Sequence, residues 1–138
     1  MNKKSIALTI MIMFSALCLV GCEKSPGEGG SASIRGKVLV EEHLISSQVE
    51  TSYFAKDEKV YLIFGEDTEF DLDTRTSYDG SFEFEFLRTG NYQVFVYSEC
   101  SLLDPECDDS ETKAVILDVS IDDKDETVDL GTIIIENW

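Results

Sequence analysis

The segment from Thr76 to Ser98, TSYDGSFEFEFLRTGNYQVFVYS, decides the fold class of this chain. Its aromatic residues alternate with polar ones on a two-residue period, which is the period of a β-strand with one buried face and one face in water. Gly80 and Gly90 stand at the two corners of the segment, where turns need backbone conformations that side chains oppose. The segment therefore predicts two strands joined by a tight corner.

The same alternation recurs from Ile34 to the end of the chain, and no convincing helical period interrupts it. Seven short strands in about 100 residues are typical of an all-β, two-sheet sandwich. Phe95 and Tyr97 lie opposite the core face of their strand, which predicts a central strand covered on both sides. The segment 41–57 is expected to be a long loop with a short strand or a helical turn. The residues predicted to face the core are Ile34, Gly36, Val38, Val40, Val60, Leu62, Phe64, Phe70, Leu72, Phe82, Phe84, Phe86, Tyr92, Val94, Val96, Val115, Leu117, Val119 and Ile121. The run from Val128 to Ile135, with Gly131 within it, is predicted to be the last strand.

Several of these positions resemble the signature of the carboxypeptidase regulatory-like domains, a family of transthyretin-like (prealbumin-like) β-sandwiches. The resemblance implies such a domain over residues 34–138, used as a non-catalytic module without a catalytic zinc. Arg88 and Thr89 stand where that family often has proline. The matching turn and core residues are Thr76, Asp79, Gly80, Phe82, Phe84, Leu87, Gly90 and Tyr92, supported by Ile34, Arg35, Gly36 and Lys37 and by Leu130 and Gly131.

The N-terminus has the pattern of a signal peptide over residues 1–21. Lys3 and Lys4 precede an apolar run over residues 6–20 that is too short to span a bilayer. The residues 19–22, LVGC, resemble the lipobox of bacterial lipoproteins, which implies cleavage between Gly21 and Cys22 and acylation of Cys22 with palmitate-type chains. The alternative is an ordinary secretory signal in which Cys22 is incidental. Residues 22–33, rich in glycine, serine and charge, are expected to be a lipid-anchored flexible tether.

The charge of the exported part disfavours nucleic-acid partners. Cleavage would remove two of 11 basic residues and none of 28 acidic ones, which leaves 9 minus 28, or −19. Such a chain repels phosphate backbones. The expected location is the cell envelope, held at a membrane by the lipid anchor. Glu23, rather than aspartate, follows the cysteine, which favours the outer membrane, at its periplasmic face or at the cell surface.

The sequence offers no convincing catalytic or metal-binding constellation, and we expect no enzyme activity, no cofactor and no metal. His43 is the single histidine, and it is expected to be a solvated loop residue rather than a ligand beside Glu41 and Glu42. Ser46 and Ser47 lack a nucleophile elbow. Two acidic loops are candidates for calcium sites because carboxylates supply calcium ligands. They are predicted to be solvated turns instead, and the loop that begins at Asp122 departs from the helical calcium-loop pattern. Their acidic residues are Asp104, Glu106, Asp108 and Asp109 in one loop and Asp122, Asp123, Asp125 and Glu126 in the other.

Cys100 and Cys107 are the only pair of cysteines downstream of the anchor, and they are predicted to form a disulfide in an oxidising compartment. A hairpin is predicted around a three-residue loop from Tyr78 to Gly80, with Gly80 left-handed. In that hairpin Thr74 would pair with Phe84, Leu72 with Phe86 and Arg75 with Glu83. An isopeptide bond between Lys37 and Asn137, present in some relatives of the family, is not expected because Lys37 should point outward.

Three functions remain open on the sequence. The favoured one is a non-catalytic, lipid-anchored envelope module that binds an unknown protein or glycan partner through loops or a sheet edge. The second is a subunit of a surface fibre or adhesin. The third is a β-sandwich that binds calcium or a small ligand.

Overall fold

The computed structural model describes residues 25–43, 48–101, 107 and 112–138. The signal segment, Cys22 and the acidic residues 104, 106, 108 and 109 lie outside these residues. Within them the protein is all-β, with eight strands in two four-stranded sheets. The strands are β1 (Glu28–His43), β2 (Val49–Phe54), β3 (Lys59–Phe64), β4 (Leu72–Arg75), β5 (Ser81–Leu87), β6 (Gly90–Glu99), β7 (Thr112–Ile121) and β8 (Thr127–Asn137).

Sheet A is built around the long strand β1. Arg35 pairs with β5 and also with β8, and Val40 pairs with β2 and also with β8. A strand residue has only two lateral neighbours, so β8 runs along one side of β1 while β5 and β2 lie end to end along the other. The neighbour of β1 on this side changes from β5 to β2 at Val38. The Val38 N–H donates to Gly80 O, and the Val38 carbonyl accepts from Ala55 N, both at 2.9 Å. β8 is parallel to β1, and β2 and β5 are antiparallel to it.

Sheet B is fully antiparallel, in the order β4-β3-β6-β7. β6 lies between β3 and β7, so the prediction of a central strand at Tyr92–Tyr97 is confirmed. The predicted hairpin between β4 and β5 is wrong, because Thr74 pairs with Val60, whereas Phe84 pairs with Ile34 in the other sheet. The segment 76–80 carries the chain from sheet B to sheet A. Gly80 is nevertheless left-handed, with φ of 76°.

The inner faces of the two sheets share one apolar core, which gives the domain a sandwich-like arrangement. Tyr92, Ile34 and Leu62 are among the largest fully buried side chains. Most core positions predicted from the alternation are confirmed. The buried core consists of Ala32, Ile34, Val38, Val40, Phe82, Phe84, Leu87, Ile133 and Ile135 with Ala55 on the sheet A side, and Val60, Leu62, Tyr92, Val94, Val96, Val119 and Ile121 on the sheet B side.

Two inward predictions fail, each where the backbone leaves the regular pleat. Phe86 has φ of 60° and is 66% exposed. An extra residue in β5 between the pairs Ile34–Phe84 and Ala32–Leu87 makes a bulge there, and Leu87 takes the buried position instead. Phe70 lies outside β4, and its side chain is exposed on the other side of sheet B.

The boundaries also differ from the sequence prediction at the N-terminal side. Residues 28–33, expected in the flexible tether, belong to β1, and Ala32 is buried. The expected long loop 41–57 contains the end of β1 and the antiparallel strand β2. β2 brings the strands to eight within the described residues, against the seven predicted.

Candidate functional site

The predicted turn residues Asp79 and Gly80 hold the crossing between the two sheets. Asp79 Oδ1 accepts hydrogen bonds from Ser81 N and Ser81 Oγ, and Asp79 Oδ2 accepts from Lys37 Nζ at 3.1 Å. These bonds favour the ionised carboxylate and lower the pKa of Asp79 to about 2, with the Ser81 hydroxyl as the largest cause. A Cβ on Gly80 would lie 2.6 Å from Val38 O. The turn is therefore a structural joint.

Thr76 pins the preceding loop to the same joint. Its buried hydroxyl donates to Ala55 O at 2.7 Å and accepts from Glu58 N at 2.9 Å. The loop before β3 is thereby fixed to the segment that crosses between the sheets.

The side-chain hydroxyl of Tyr92 holds the second predicted corner, which runs from Leu87 to Tyr92. Tyr92 Oη donates to Arg88 O at 2.7 Å and accepts from Gly27 N at 3.0 Å. Burial of the ring raises the pKa of Tyr92 above its ordinary value. A Cβ on Gly90 would lie 2.6 Å from Pro26 Cγ, so the corner accepts only glycine where the N-terminal segment crosses it.

Phe82 and Phe84 are buried in the core, with an edge-to-face geometry at 6.1 Å between centroids. Together with Leu87 they belong to the buried core of the domain.

The predicted disulfide between Cys100 and Cys107 is present, with the Cα atoms 5.7 Å apart. It closes the connection between β6 and β7.

The predicted acidic loop with Asp122, Asp123, Asp125 and Glu126 forms a turn in which Glu126 accepts hydrogen bonds. Glu126 Oε2 accepts from the N–H groups of Asp122 and Asp123. No group of three or more His, Cys, Asp or Glu side chains within the described part of the chain is arranged to hold a metal ion.

The expectation of a solvated loop histidine is wrong. His43 ends β1, and its side chain is only 8% exposed because the ring stacks on Trp138 at 4.4 Å between centroids. Its Nε2 lies 3.9 Å from Glu136 Oε1. Neither ring nitrogen has a hydrogen-bond partner within the described residues.

Lys37 and Asn137, considered for an isopeptide bond, lie apart. Lys37 pairs with Thr132 and Asn137 pairs with Glu42, five positions further along β1. Lys37 points outward as predicted, where it binds Asp79 and covers the Phe54 ring at 5.0 Å.

The candidate recognition surface lies on the outer side of sheet B. Tyr61 of β3 and Phe95 of β6 are directly paired across the strands, and their rings stack at 4.7 Å with an interplanar angle of 9°. Tyr97 meets both rings edge to face, and Phe70 meets Tyr61 in the same way at 4.9 Å. Ile116 of β7 pairs with Phe95 on its other side. We call Tyr61, Phe70, Phe95, Tyr97 and Ile116 the aromatic face.

Much of the aromatic face is open to solvent. Phe95 is buried beneath its neighbours, but Phe70, Tyr97 and Ile116 are 49%, 46% and 55% exposed. A cluster of large apolar side chains on a sheet surface is the kind of patch that marks an interaction site.

The border of the aromatic face is polar and mostly acidic. Lys59 contacts Asp73 at 3.3 Å and covers the Tyr61 ring, and Gln93 Nε2 donates to Asp118 at 2.8 Å. The loop that presents Phe70 has the sequence GEDTEFD over residues 65–71 and contributes four acidic residues and no basic one.

The sequence prediction recognised only part of this surface. Phe95 and Tyr97 were interpreted as the covered second face of a central strand, although only Phe95 is buried. Tyr61, Ile63 and Ile116 carry the same signal, since each lies between two core residues of its strand. A run of apolar residues on the outward positions of neighbouring strands was the available clue.

Comparison with protein-family models and with curated proteins finds no match to this chain. In the part of the chain that the structure describes, no helix is long and apolar enough to cross a membrane.

Proposed function

We propose that this chain is a non-catalytic, lipid-anchored module of the cell envelope that binds a partner protein through its aromatic face. The exposed aromatic face is the observation that carries the binding function. The anchor is supported by the order of basic start, apolar run and LVGC at residues 19–22, with acylation at Cys22. Outer-membrane placement is supported by Glu23 alone and is part of the same proposal.

The ring arrangement favours a protein over a glycan as the partner. The flat faces of Tyr61 and Phe95 that stack on each other are not available to a sugar ring. Sugars stack on open ring faces, whereas apolar side chains fill the gaps between edges. Tyrosine and phenylalanine are also residue types enriched at the centre of protein interfaces.

The negative charge around the aromatic face indicates which kind of protein surface would fit it. The loop next to Phe70 is acidic, and the exported chain would have a net charge of 9 minus 28, or −19. A partner with an apolar patch bordered by lysine or arginine would match both the face and its border, and opposite charges would speed the encounter.

The transthyretin-like branch of the fold also belongs to this proposal. It is supported by the left-handed Gly80, by the positive φ of Gly90 and by buried Tyr92, which occupy the turns and corner of the signature. Two packed four-stranded sheets are compatible with that branch.

Site-specific photocrosslinking in intact cells tests the binding face. A photoreactive amino acid at Ile116 on sheet B should give an adduct, whereas the same group at Ile134 on sheet A should not; the native residues are similarly exposed, at 55% and 48%. Tyr97→Glu should remove the adduct from position 116, because it places a charge in the centre of the contact. Equal adducts from both positions would contradict the proposal. An adduct of the chain with a second copy of itself would favour the fibre-subunit function instead.

The anchor is tested separately with Cys22→Ser. Labelling with a radioactive or clickable fatty acid should disappear, and unprocessed precursor should accumulate. Labelling that survives the substitution would overturn the lipoprotein assignment and leave the aromatic face unaffected.

A further inference from the structure

A second candidate site lies beside the corner that Tyr92 holds. It is a cleft of about 1150 Å³ between the N-terminal segment 25–31, the corner 87–91 and the end of β7. We call it the N-terminal cleft. Its lining includes Arg88 and Lys124 together with Gly29, Gly30 and the hydroxyl side chains of Ser31 and Thr89.

Three of the eight lysines and arginines in the described residues make no ion pair there, and two of these three line the cleft. Five of the eight lysines and arginines in the described residues make ion pairs with carboxylates, namely Arg35, Lys37, Lys59, Arg75 and Lys113. The three without an ion pair to a described residue are Lys56, Arg88 and Lys124. Two of these three line the N-terminal cleft.

Arg88 is held in place by its backbone, while its guanidinium makes a single long hydrogen bond. Arg88 N donates to Gly27 O at 2.9 Å, and Arg88 O accepts from Tyr92 Oη. The side chain makes one long bond, from Nη1 to Ser25 O at 3.5 Å, and Nε is buried without a hydrogen-bond partner among the described residues. A buried donor with no acceptor is unfavourable, so the guanidinium is a place where an acceptor would be stabilised.

Two glycines lie next to this guanidinium. A Cβ on Gly29 would lie 3.3 Å from Arg88 Nη2, and one on Gly27 would lie 4.0 Å from Nη1. Glycine backbone without side chains therefore faces the planar guanidinium of Arg88, and this arrangement suits a compact ligand with several acceptor oxygens. Arginine binds phosphate and carboxylate groups through such a fork, and lysine adds a point charge.

We propose that the N-terminal cleft binds a phosphate group, with Arg88 and Lys124 as its cationic contacts. Asp122 also lines the cleft, where its Oδ1 accepts a bond from Ser120 Oγ at 2.8 Å. Exposed carboxylates more than about 8 Å from the cleft are screened at physiological salt. Asp122 and the sequence neighbours of Lys124, Asp123 and Asp125, are therefore the acidic groups that oppose binding of an anion.

The phosphate has two possible sources, a membrane lipid headgroup and a free phosphate or phosphate ester. Cys22 precedes Ser25 by three residues, a span of at most about 11 Å. If the proposed anchor is present, it holds the cleft against lipid headgroups; the lipid source rests on the proposed function, and the phosphate site itself does not.

The first experiment titrates the purified full-length protein with inorganic phosphate at constant ionic strength and follows binding and the melting temperature. The melting temperature should rise because a ligand that binds the native state and not the unfolded state stabilises the fold. Arg88→Gln should weaken binding by about tenfold or more, as expected for losing a charge-assisted contact, and Lys124→Gln by a smaller factor. Lys56→Gln is the matched control, because Lys56 also lacks an ion pair and does not line the cleft. If Arg88→Gln fails to fold, Lys124→Gln decides the test.

The second experiment compares vesicles that contain phosphatidylglycerol with vesicles of phosphatidylcholine alone, so that insertion of the anchor contributes to both. A preference for phosphatidylglycerol that disappears in Lys124→Gln but persists in Lys56→Gln identifies the headgroup as the source. Binding of inorganic phosphate without that preference identifies a free phosphate. The proposal is overturned if neither probe binds, or if Lys56→Gln weakens binding as much as Lys124→Gln. The Cys22→Ser labelling result stands apart, so failure of the anchor and failure of the cleft are distinguishable.

Discussion

The outer faces of the two sheets differ in the side chains that they present to solvent. On sheet A, Arg35 pairs with Asp129 and Lys37 with Asp79 at 3.1 Å, so the charges satisfy one another. On sheet B the outward side chains of Tyr61, Phe95 and their neighbours are apolar and partly exposed. A solvated sheet needs only the first arrangement. This difference supports our proposal that the outer face of sheet B is the surface that contacts a partner.

The largest expected effect concerns the joint between the two sheets. Gly80→Ala should lower the free energy of unfolding by roughly 3 kcal/mol, because the residue is left-handed and its Cβ would overlap Val38 O. Gly131→Ala is the matched control: Gly131 is also left-handed, with φ of 69°, but no atom lies near its Cβ position. It should lose only about 1 kcal/mol. Equal losses in urea unfolding would show that the approach of Val38 O has no energetic consequence.

An intermediate effect separates the two outer faces directly. Tyr61→Ala should lower the free energy of unfolding by about 2 kcal/mol, because three aromatic neighbours lose their contact. Arg35→Ala should change it by less than about 0.5 kcal/mol, since its ion pair with Asp129 is exposed. Chemical denaturation of both variants measures the comparison. A larger loss for Arg35→Ala would reverse our account of which face stabilises the domain.

The smallest effect is a pH dependence on the sheet A side. The pKa of Asp79 is lowered to about 2 in the folded protein, against roughly 4 for an unfolded aspartate. Its contribution to stability is therefore complete above about pH 4 and is lost as the pH falls through about 2. Unfolding curves of wild type and Asp79→Asn should converge over that window. A stability difference that stays constant from pH 5 to pH 2 would show that the carboxylate charge contributes nothing.

The inner faces of both sheets were predictable because burial imposes a two-residue period that the sequence displays directly. The pairing of the strands could not be predicted in the same way. Leu72 and Phe84 lie on core faces as expected, yet β4 and β5 belong to different sheets, and alternation alone does not distinguish a hairpin from a crossing between sheets. The bulge at Phe86 was hidden because Phe86 and Leu87 are both apolar. A period-based reading has no means of choosing which of them turns inward.

The candidate sites were less predictable, because each depends on residues that are far apart in the sequence. His43 is buried by Trp138, and the guanidinium of Arg88 faces the glycines near the start of β1. In the sequence Arg88 was notable only as a departure from the family pattern. The absence of an ion pair becomes visible only when every neighbouring carboxylate is placed in space.

The parallel pairing of β1 with β8 also has a consequence for how the chain reaches its native state. Ser33 bonds Thr127, and Arg35 bonds Asp129, each at a sequence separation of 94. Sheet A therefore lacks one whole side of its central strand until β8 has been synthesised. Pairing between such distant segments is slow to form, and an unpaired strand edge is open to pairing with other chains. We therefore expect the folding yield to depend more on the integrity of β8 than on that of any strand in sheet B.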